Sequence, residues 1–201
     1  SRLRRGRARQ AAAEPGGAEG TRQAAASACA REGGASADGQ HKLQGARLGY
    51  TAKAFSVGGA LSTTESNLTT LGRFKDMTVG ATGDLGFARV SAAWRQLSYG
   101  PARQTNVLLG LWWPVAGGEV KASWQRADLS GKVGSTAIQA NDATQWGLGY
   151  VYTLSRRSAL YASYARVSNA GAATFTVPGG ASGITAGGTS TGYEVGMRHN
   201  F

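Results

Sequence analysis

The last ten residues constrain the fold more than any other stretch of this chain. Read at a period of two, one face is mostly apolar and carries Tyr193, Val195, Met197, His199 and Phe201. The other face is polar and carries Glu194, Gly196, Arg198 and Asn200. A transmembrane β-barrel closes with a strand of this kind, apolar toward lipid and polar toward the lumen. An edge strand of a soluble sheet shows the same alternation, so this stretch alone leaves both structures open.

Composition narrows the class of protein. The chain has 201 residues, enough for one domain, and only 16% are charged, against about 25% in typical soluble domains. No apolar run reaches the roughly 18 residues of a membrane-spanning helix. The lone Cys29 excludes an internal disulfide. No histidine and cysteine cluster has the spacing of a metal site, so we expect neither a metal nor a cofactor.

Positive charge is spread along the chain. The net charge is +11. Residues 1–45 contain eight basic and four acidic residues, and residues 46–201 contain fourteen and seven. Nucleic-acid-binding proteins more often concentrate their basic residues in one patch or helix. The distribution therefore does not favour nucleic acid as the partner.

The first 45 residues differ from the rest. They are rich in Ala, Gly and Arg, as in Arg2–Arg9, and have almost no large apolar side chain. Such a segment buries too little surface to offset the entropy of ordering, so we expect disorder or a weak helix. It lacks the apolar core of a secretory signal peptide. It is either a basic arm for nucleic acid or anionic lipid, or the product of an out-of-frame or misassigned start. We favour the second, because the composition changes abruptly near Gly45, and we divide the chain at 1–45 and 46–201.

A regular series of strands follows. Nine segments have the length or the alternation of β-strands, separated by turn-forming residues. They are residues 47–51, 55–61, 74–82, 87–98, 104–113, 119–127, 145–152, 158–167 and 192–201. Their connections alternate between short turns and longer polar loops, which is typical of outer-membrane barrels. Aromatic residues cluster near the strand ends, where interfacial girdles form. The sequence therefore predicts an all-β, antiparallel, up-and-down transmembrane β-barrel.

Two stretches carry a family resemblance. Residues 143–169, ATQWGLGYVYTLSRRSALYASYARVSN, look like the penultimate hairpin of Gram-negative general porins of the betaproteobacterial type. Residues 191–201, TGYEVGMRHNF, are similar to the closing strand of that family. The resemblance covers about residues 46–201, so it matches the C-terminal part of a family with sixteen strands. The signal peptide, the early strands and the inward-folded third loop are not found. We therefore expect either a smaller closed barrel or a truncated product.

The resemblance also implies a location and partners. It implies the cell outer membrane and its lipid, a homotrimer, and small hydrophilic solutes. It further implies that the barrel-assembly machinery recognises the closing strand through Tyr193, Val195, Met197, His199 and Phe201. The absence of a signal peptide leaves export unexplained. No enzymatic activity is expected, because His41 and His199 lie in unrelated contexts and no catalytic arrangement stands out.

Pore-lining candidates follow from the alternation. The residues assigned to the inward face are Arg47, Lys75, Arg89, Arg95, Lys121 and Arg198, with Glu119 and Glu194. Rings of basic side chains in a wet pore favour anions. The sequence therefore predicts passive diffusion of small hydrophilic solutes and ions with a weak anion preference. Alternatively, these charges only solvate the lumen.

Two other functions remain open at this point. The first is a soluble β-sandwich that binds carbohydrate or another protein, without detergent. The second is a nucleic-acid binder that acts through Arg2–Arg9, whose affinity would fall steeply with salt.

Overall fold

The chain folds into one large antiparallel sheet. The structure, a computed structural model, describes residues 23–27, 42–66, 68–180 and 183–201. Within these ranges ten strands form one meander, in which each strand pairs with the next. The strands are β1 (Gln23–Ser27), β2 (Lys42–Thr51), β3 (Phe55–Glu65), β4 (Phe74–Asp84), β5 (Arg89–Tyr99), β6 (Ala102–Val115), β7 (Gly118–Ser130), β10 (Ala143–Thr153), β11 (Ser158–Asn169) and β12 (Thr189–His199). A separate small hairpin, β8 (Lys132–Val133) and β9 (Thr136–Ala137), lies between β7 and β10.

The nine predicted strands are confirmed. Most extend a few residues beyond the predicted bounds, and β6 and β7 are the longest, at 14 and 13 residues. The first predicted strand begins earlier, at Lys42, so the pattern starts before residue 46. Residues 23–27 pair antiparallel with β2, so the expectation of disorder or weak helix is wrong there. Cys29, His41 and the basic stretch 2–9 lie outside the described residues.

The connections divide between the two ends of the sheet. Short turns at residues 52–54, 85–88, 116–117 and 154–157 lie at one end, which we call the turn end. Longer connections at residues 66–73, 131–142 and 170–188 lie at the other, the loop end.

One loop-end connection departs from the predicted alternation. Gly100 and Pro101 alone join β5 to β6, because the Tyr99 and Ala102 pair continues the ladder up to the turn. Gly100 has a φ of 54°, a left-handed conformation that glycine adopts without strain.

Strand register brings the apolar positions of nine strands onto one face, which we call the apolar face. Directly opposed residues share a face, and Leu109 lies opposite Trp124, which lies opposite Trp146. A slip of one residue would send a strand's side chains to the other side. The large apolar residues of this face are Leu48, Tyr50, Phe55, Val57, Leu61, Met77, Val79, Val90, Trp94, Val107, Leu109, Leu111, Trp113, Val115, Val120, Trp124, Trp146, Leu148, Tyr150, Tyr152, Leu160, Tyr164, Tyr193, Val195 and Met197.

No second layer covers the apolar face within the described residues. Tyr193 is 87% exposed and Val195 is 78% exposed, and among the described residues no large side chain is fully buried. A soluble sandwich instead buries the inner faces of two sheets against each other. The alternative of a soluble β-sandwich is therefore wrong for this sheet. The described part of the chain also contains no helix with the length and apolarity needed to span a membrane.

Candidate functional site

The opposite side of the sheet, which we call the polar face, carries most of the charges of the strands. Its basic residues are Arg47, Arg89, Arg95, Lys121 and Arg198. Its acidic residues are Asp76, Asp84, Glu119 and Glu194. Five basic against four acidic side chains leave a net charge of +1 on this face of the described strands. This excess of positive charge on the polar face is smaller than the sequence alone indicated.

Lys75 is the one predicted inward residue that the structure places elsewhere. It lies opposite Thr63 and Ser98, in phase with Met77, on the apolar face near the loop end. Its assignment to the inward face is therefore wrong. The neighbouring Asp76 takes the inward position instead, together with Asp84. The alternation set by Met77 and Val79 already contains this information, and the sequence analysis did not apply it to Lys75.

Arg95 and Asp76 form an ion pair on the polar face. Arg95 Nε lies 3.0 Å from Asp76 Oδ1, and the Thr78 hydroxyl approaches the same oxygen at 3.4 Å. The Asp76 side chain is 20% exposed and that of Arg95 is 50% exposed. The guanidinium therefore remains accessible to solvent while its charge is balanced.

A second cluster lies toward the turn end. Trp112 Nε1 donates a hydrogen bond to Glu119 Oε2 at 2.7 Å, and Lys121 Nζ contacts Glu119 Oε1 at 2.6 Å. The Arg89 guanidinium lies 5.4 Å from the centre of the Trp112 ring, a cation–π contact. Arg89 also lies 3.5 Å from Asp84. Sequence reasoning missed Trp112, although its position next to the outward Trp113 places it on the polar face.

The remaining charged residues of the polar face have no oppositely charged partner in an ion pair within the described part of the chain. Glu194 accepts a hydrogen bond of 2.9 Å from the Tyr161 hydroxyl. Within the described residues, Arg47 and Arg198 form no ion pair. These two arginines are thus the basic residues of the described polar face that no ion pair balances.

The described parts of the connection between β11 and β12, residues 170–180 and 183–188, fold over the polar face. Val177 is only 3% exposed, and its N–H donates to Ser190 Oγ at 3.2 Å. The Asn169 side chain closes the base of this loop, since its Nδ2 donates to the carbonyls of Phe175 and Gly188 at 2.9 and 2.8 Å. Between the loop and the strands lies a hollow of about 540 Å³, lined by Gln145, Ser163 and Glu194 among others. The sequence analysis treated this segment only as a long loop.

The described residues show no arrangement of three or more His, Cys, Asp or Glu side chains that could hold a metal. His199 Nδ1 lies 2.8 Å from Ser158 Oγ, and its ring makes an edge contact with Phe201 at 5.0 Å between centroids. Both contacts lie at the turn end of β12.

Comparison with known proteins assigns the fold. The family model described as Gram-negative porin matches residues 10–172. The chain is 35% identical over 135 residues to outer membrane porin protein 32 of Delftia acidovorans, covering 63% of this chain and 36% of that protein. An anion-selective porin from Comamonas acidovorans has a similar structure, with a TM-score of 0.64 and 29% identity. That match covers 80% of this chain and 49% of the other.

These matches bear on the extent of the resemblance. The family match starts earlier than residues 46–201, where the sequence alone placed it, and it ends before the closing strand. The chain spans about a third of the curated relative and half of the solved structure. The described strands, their register and the matched residues agree, and the chain belongs to the Gram-negative porin family of the cell outer membrane.

Proposed function

We propose that the polar face of this sheet lines a water-filled channel in the outer membrane. Small hydrophilic solutes and ions diffuse through it passively, with a weak preference for anions. The observation that carries the proposal is the common phase of nine strands, from β2 to β7 and from β10 to β12. One continuous face is apolar and exposed, while the other is polar and charged.

This arrangement matches the two environments of a pore wall. In a porin, lipid contacts the outward face and water fills the interior, so side chains alternate between apolar and polar along each strand. The exposed Leu48, Val195 and Met197 would be costly in water as one continuous surface. Against hydrocarbon these apolar side chains are not exposed to water, so this cost does not arise. The membrane therefore supplies the missing second layer.

The anion preference rests on Arg47 and Arg198. Ion pairs balance Arg95 and Lys121, and Asp84 lies beside Arg89. The two remaining arginines attract anions, while Glu194 opposes them, so the preference is weak. The solved relative is named an anion-selective porin, which agrees with this sign.

Assembly follows the same proposal. Tyr193, Val195, Met197 and His199 lie along the outward side of β12, and Phe201 follows two residues after its end. The barrel-assembly machinery recognises this series. Tyr193, Val195 and Met197 are at least 64% exposed. A homotrimer is proposed because the family resemblance implies one, and outer-membrane lipid contacts the rest of the apolar face.

Reversal potentials test the selectivity. The full chain is refolded, inserted into planar bilayers and held in a gradient of potassium chloride. Arg47→Gln and Arg198→Gln should each shift the reversal potential toward cation preference, because each removes an unbalanced positive charge from the lumen. Glu119→Gln should shift it the other way, because Lys121 then loses its partner.

Lys75→Gln is the matched control. It removes the same charge from the same chain but from the apolar face, so the reversal potential should stay at the wild-type value. A shift as large as that of Arg47→Gln would contradict the assignment of the two faces. A chain that inserts but never conducts would contradict the channel itself.

A further inference from the structure

The hollow on the polar face, under the loop segment 170–180, exists because the strands beneath it carry small side chains. Ala165 and Gly192 line the hollow and lie directly opposite each other on β11 and β12. Gly147 continues this row on β10. The space left between loop and strands has a volume of about 540 Å³, within the roughly 300–1,000 Å³ of small-molecule sites.

A tight turn forms the roof of the hollow. The Gly180 N–H donates to the Val177 carbonyl at 2.8 Å, with Pro178 and Gly179 between them. Gly179 has a φ of 74°, which a type II turn requires at its third residue. The buried Val177 side chain and the hydrogen bond from its N–H to Ser190 hold this turn against β12. The roof is therefore part of the folded chain.

Glu194 provides the charge of the hollow. It is the one charged side chain among the described residues that line the hollow, and it forms no ion pair with any described residue. Its Oε1 accepts the hydrogen bond from Tyr161, whereas its Oε2 accepts none from the described side chains. Lys121 lies in the same row of the polar face, but it contacts Glu119 instead. The hollow is thus a local acidic site on a face with a positive net charge.

Neutral polar groups lie next to this carboxylate. Ser163 lies directly opposite Glu194, and Gln145 lines the same hollow. Hydroxyl and amide groups both donate and accept hydrogen bonds, which suits the hydroxyls of a polyol. Val177 and Pro178 add an apolar side, against which the C–H face of a sugar ring can pack. None of the described lining residues is basic, so the hollow does not suit an anionic solute.

We propose that the hollow is a binding subsite for small solutes that combine one ammonium group with several hydroxyls, as hexosamines do. The ammonium group lies on Glu194, the hydroxyls lie on Gln145 and Ser163, and the ring lies beneath Pro178. This inference rests on the proposed function, in which solutes diffuse along the polar face. It adds a selective step to passive diffusion, because an amino sugar is retained under the loop while other solutes pass.

Sugar binding to the refolded full chain in detergent micelles tests the subsite. Saturation-transfer NMR measures the affinity for glucosamine at a slightly acidic pH, at which its amine is protonated. Glucose is the comparison solute, because a hydroxyl replaces the ammonium group on the same ring. The wild type should bind glucosamine about tenfold more tightly than glucose, as expected for one charge-assisted hydrogen bond.

Three variants locate the preference. Glu194→Gln keeps an acceptor for the Tyr161 hydroxyl and should bind both sugars alike. Glu65→Gln is the matched control, because it removes the same charge at the loop end but from the apolar face, where Glu65 lies 3.1 Å from Arg73. It should keep the wild-type preference. Ala165→Leu fills the hollow and should weaken the binding of both sugars. Heat-modifiable gel migration identifies the folded protein in each preparation.

Three results would overturn the inference. Glu194→Gln could prefer glucosamine as strongly as the wild type does, or Glu65→Gln could lose the preference equally, which would make general charge attraction its cause. Ala165→Leu could also bind both sugars with wild-type affinity. A chain that shows the preference in micelles but conducts no ions in planar bilayers would support the subsite and contradict the proposed function, so the two failures are distinguishable.

Discussion

At the scale of single residues, one position of sequence decides whether a charge lies on the apolar face or on the polar face of the sheet. Lys75 and Asp76 are neighbours on β4, yet Lys75 shares a face with Met77 and Asp76 pairs with Arg95. Assigning Lys75 to the polar face in place of Asp76 changes the net charge of that face by two units. The candidate charged residues could be found from the sequence. The sign of the charge on each face follows only when the alternation of the strand is applied to every residue.

Gly192 provides a residue-scale prediction about the loop that covers the polar face. A Cβ atom at this position would lie 2.9 Å from Cγ2 of Val177, closer than real contacts allow. Gly192→Val should therefore displace the segment 170–188, because overpacking costs roughly 1–3 kcal/mol. Phe175 is the exposed aromatic residue of this segment, so chymotrypsin should cleave after it faster, about tenfold for each 1.4 kcal/mol of displacement.

The control for this loop experiment is Gly149→Val. Gly149 also lies on the polar face, but a Cβ there meets its nearest atom at 3.7 Å, an ordinary contact. Its cleavage rate should equal that of the wild type. Equal rates in all three proteins would mean that Val177 does not hold the loop against β12.

At the scale of the strands, the alternation of apolar and polar side chains could be predicted well. The strand backbone and the different surroundings of the two faces impose it. The ends of the strands could not be predicted in this way. The β5–β6 connection was expected to be one of the longer loops, but pairing of Tyr99 with Ala102 reduces it to Gly100 and Pro101. Tertiary pairing extends strands beyond the residues whose side chains show the pattern. The same reason explains why β2 begins at Lys42.

Two adjacent leucines on β6 give a strand-scale prediction. Leu109 is on the apolar face and is 48% exposed, whereas Leu108 is on the polar face opposite Ala93. Leu109→Arg should lower the free energy of unfolding from lipid vesicles by about 2–4 kcal/mol, as found for arginine facing hydrocarbon. Denaturant titration in vesicles, followed by tryptophan fluorescence, measures the difference.

Leu108→Arg makes the same substitution one residue away. It places the guanidinium among polar side chains and water, so its effect on stability should be much smaller. If Leu109 faced water, Leu109→Arg would cost little, and similar values for the two variants would show that the faces do not differ in environment.

At the scale of the whole molecule, the family and the polarity of the two faces could be predicted, because every strand repeats the same information. The folding of 170–188 over the polar face could not, since it depends on contacts such as Val177 with Ser190 between distant segments. The strand at 23–27 was also missed, because its sequence, QAAAS, has no alternation to detect.

The sheet is also open within the described residues, since β1 and β12 each pair with a single neighbour. Each unpaired backbone group in hydrocarbon costs several kcal/mol. Both edges therefore need partner strands before the wall can close.

Environmental scanning along β6 tests the central claim most directly. With Cys29 replaced by Ser, single cysteines at Gln104, Asn106, Leu108, Val107, Leu109 and Leu111 carry spin labels in the full chain, reconstituted in lipid vesicles. Collision rates with oxygen, which dissolves in lipid, should be high at 107, 109 and 111. Rates with a water-soluble nickel complex should be high at 104, 106 and 108. Equal access of the nickel complex to both sets would contradict the assignment of one face to lipid and the other to a water-filled channel.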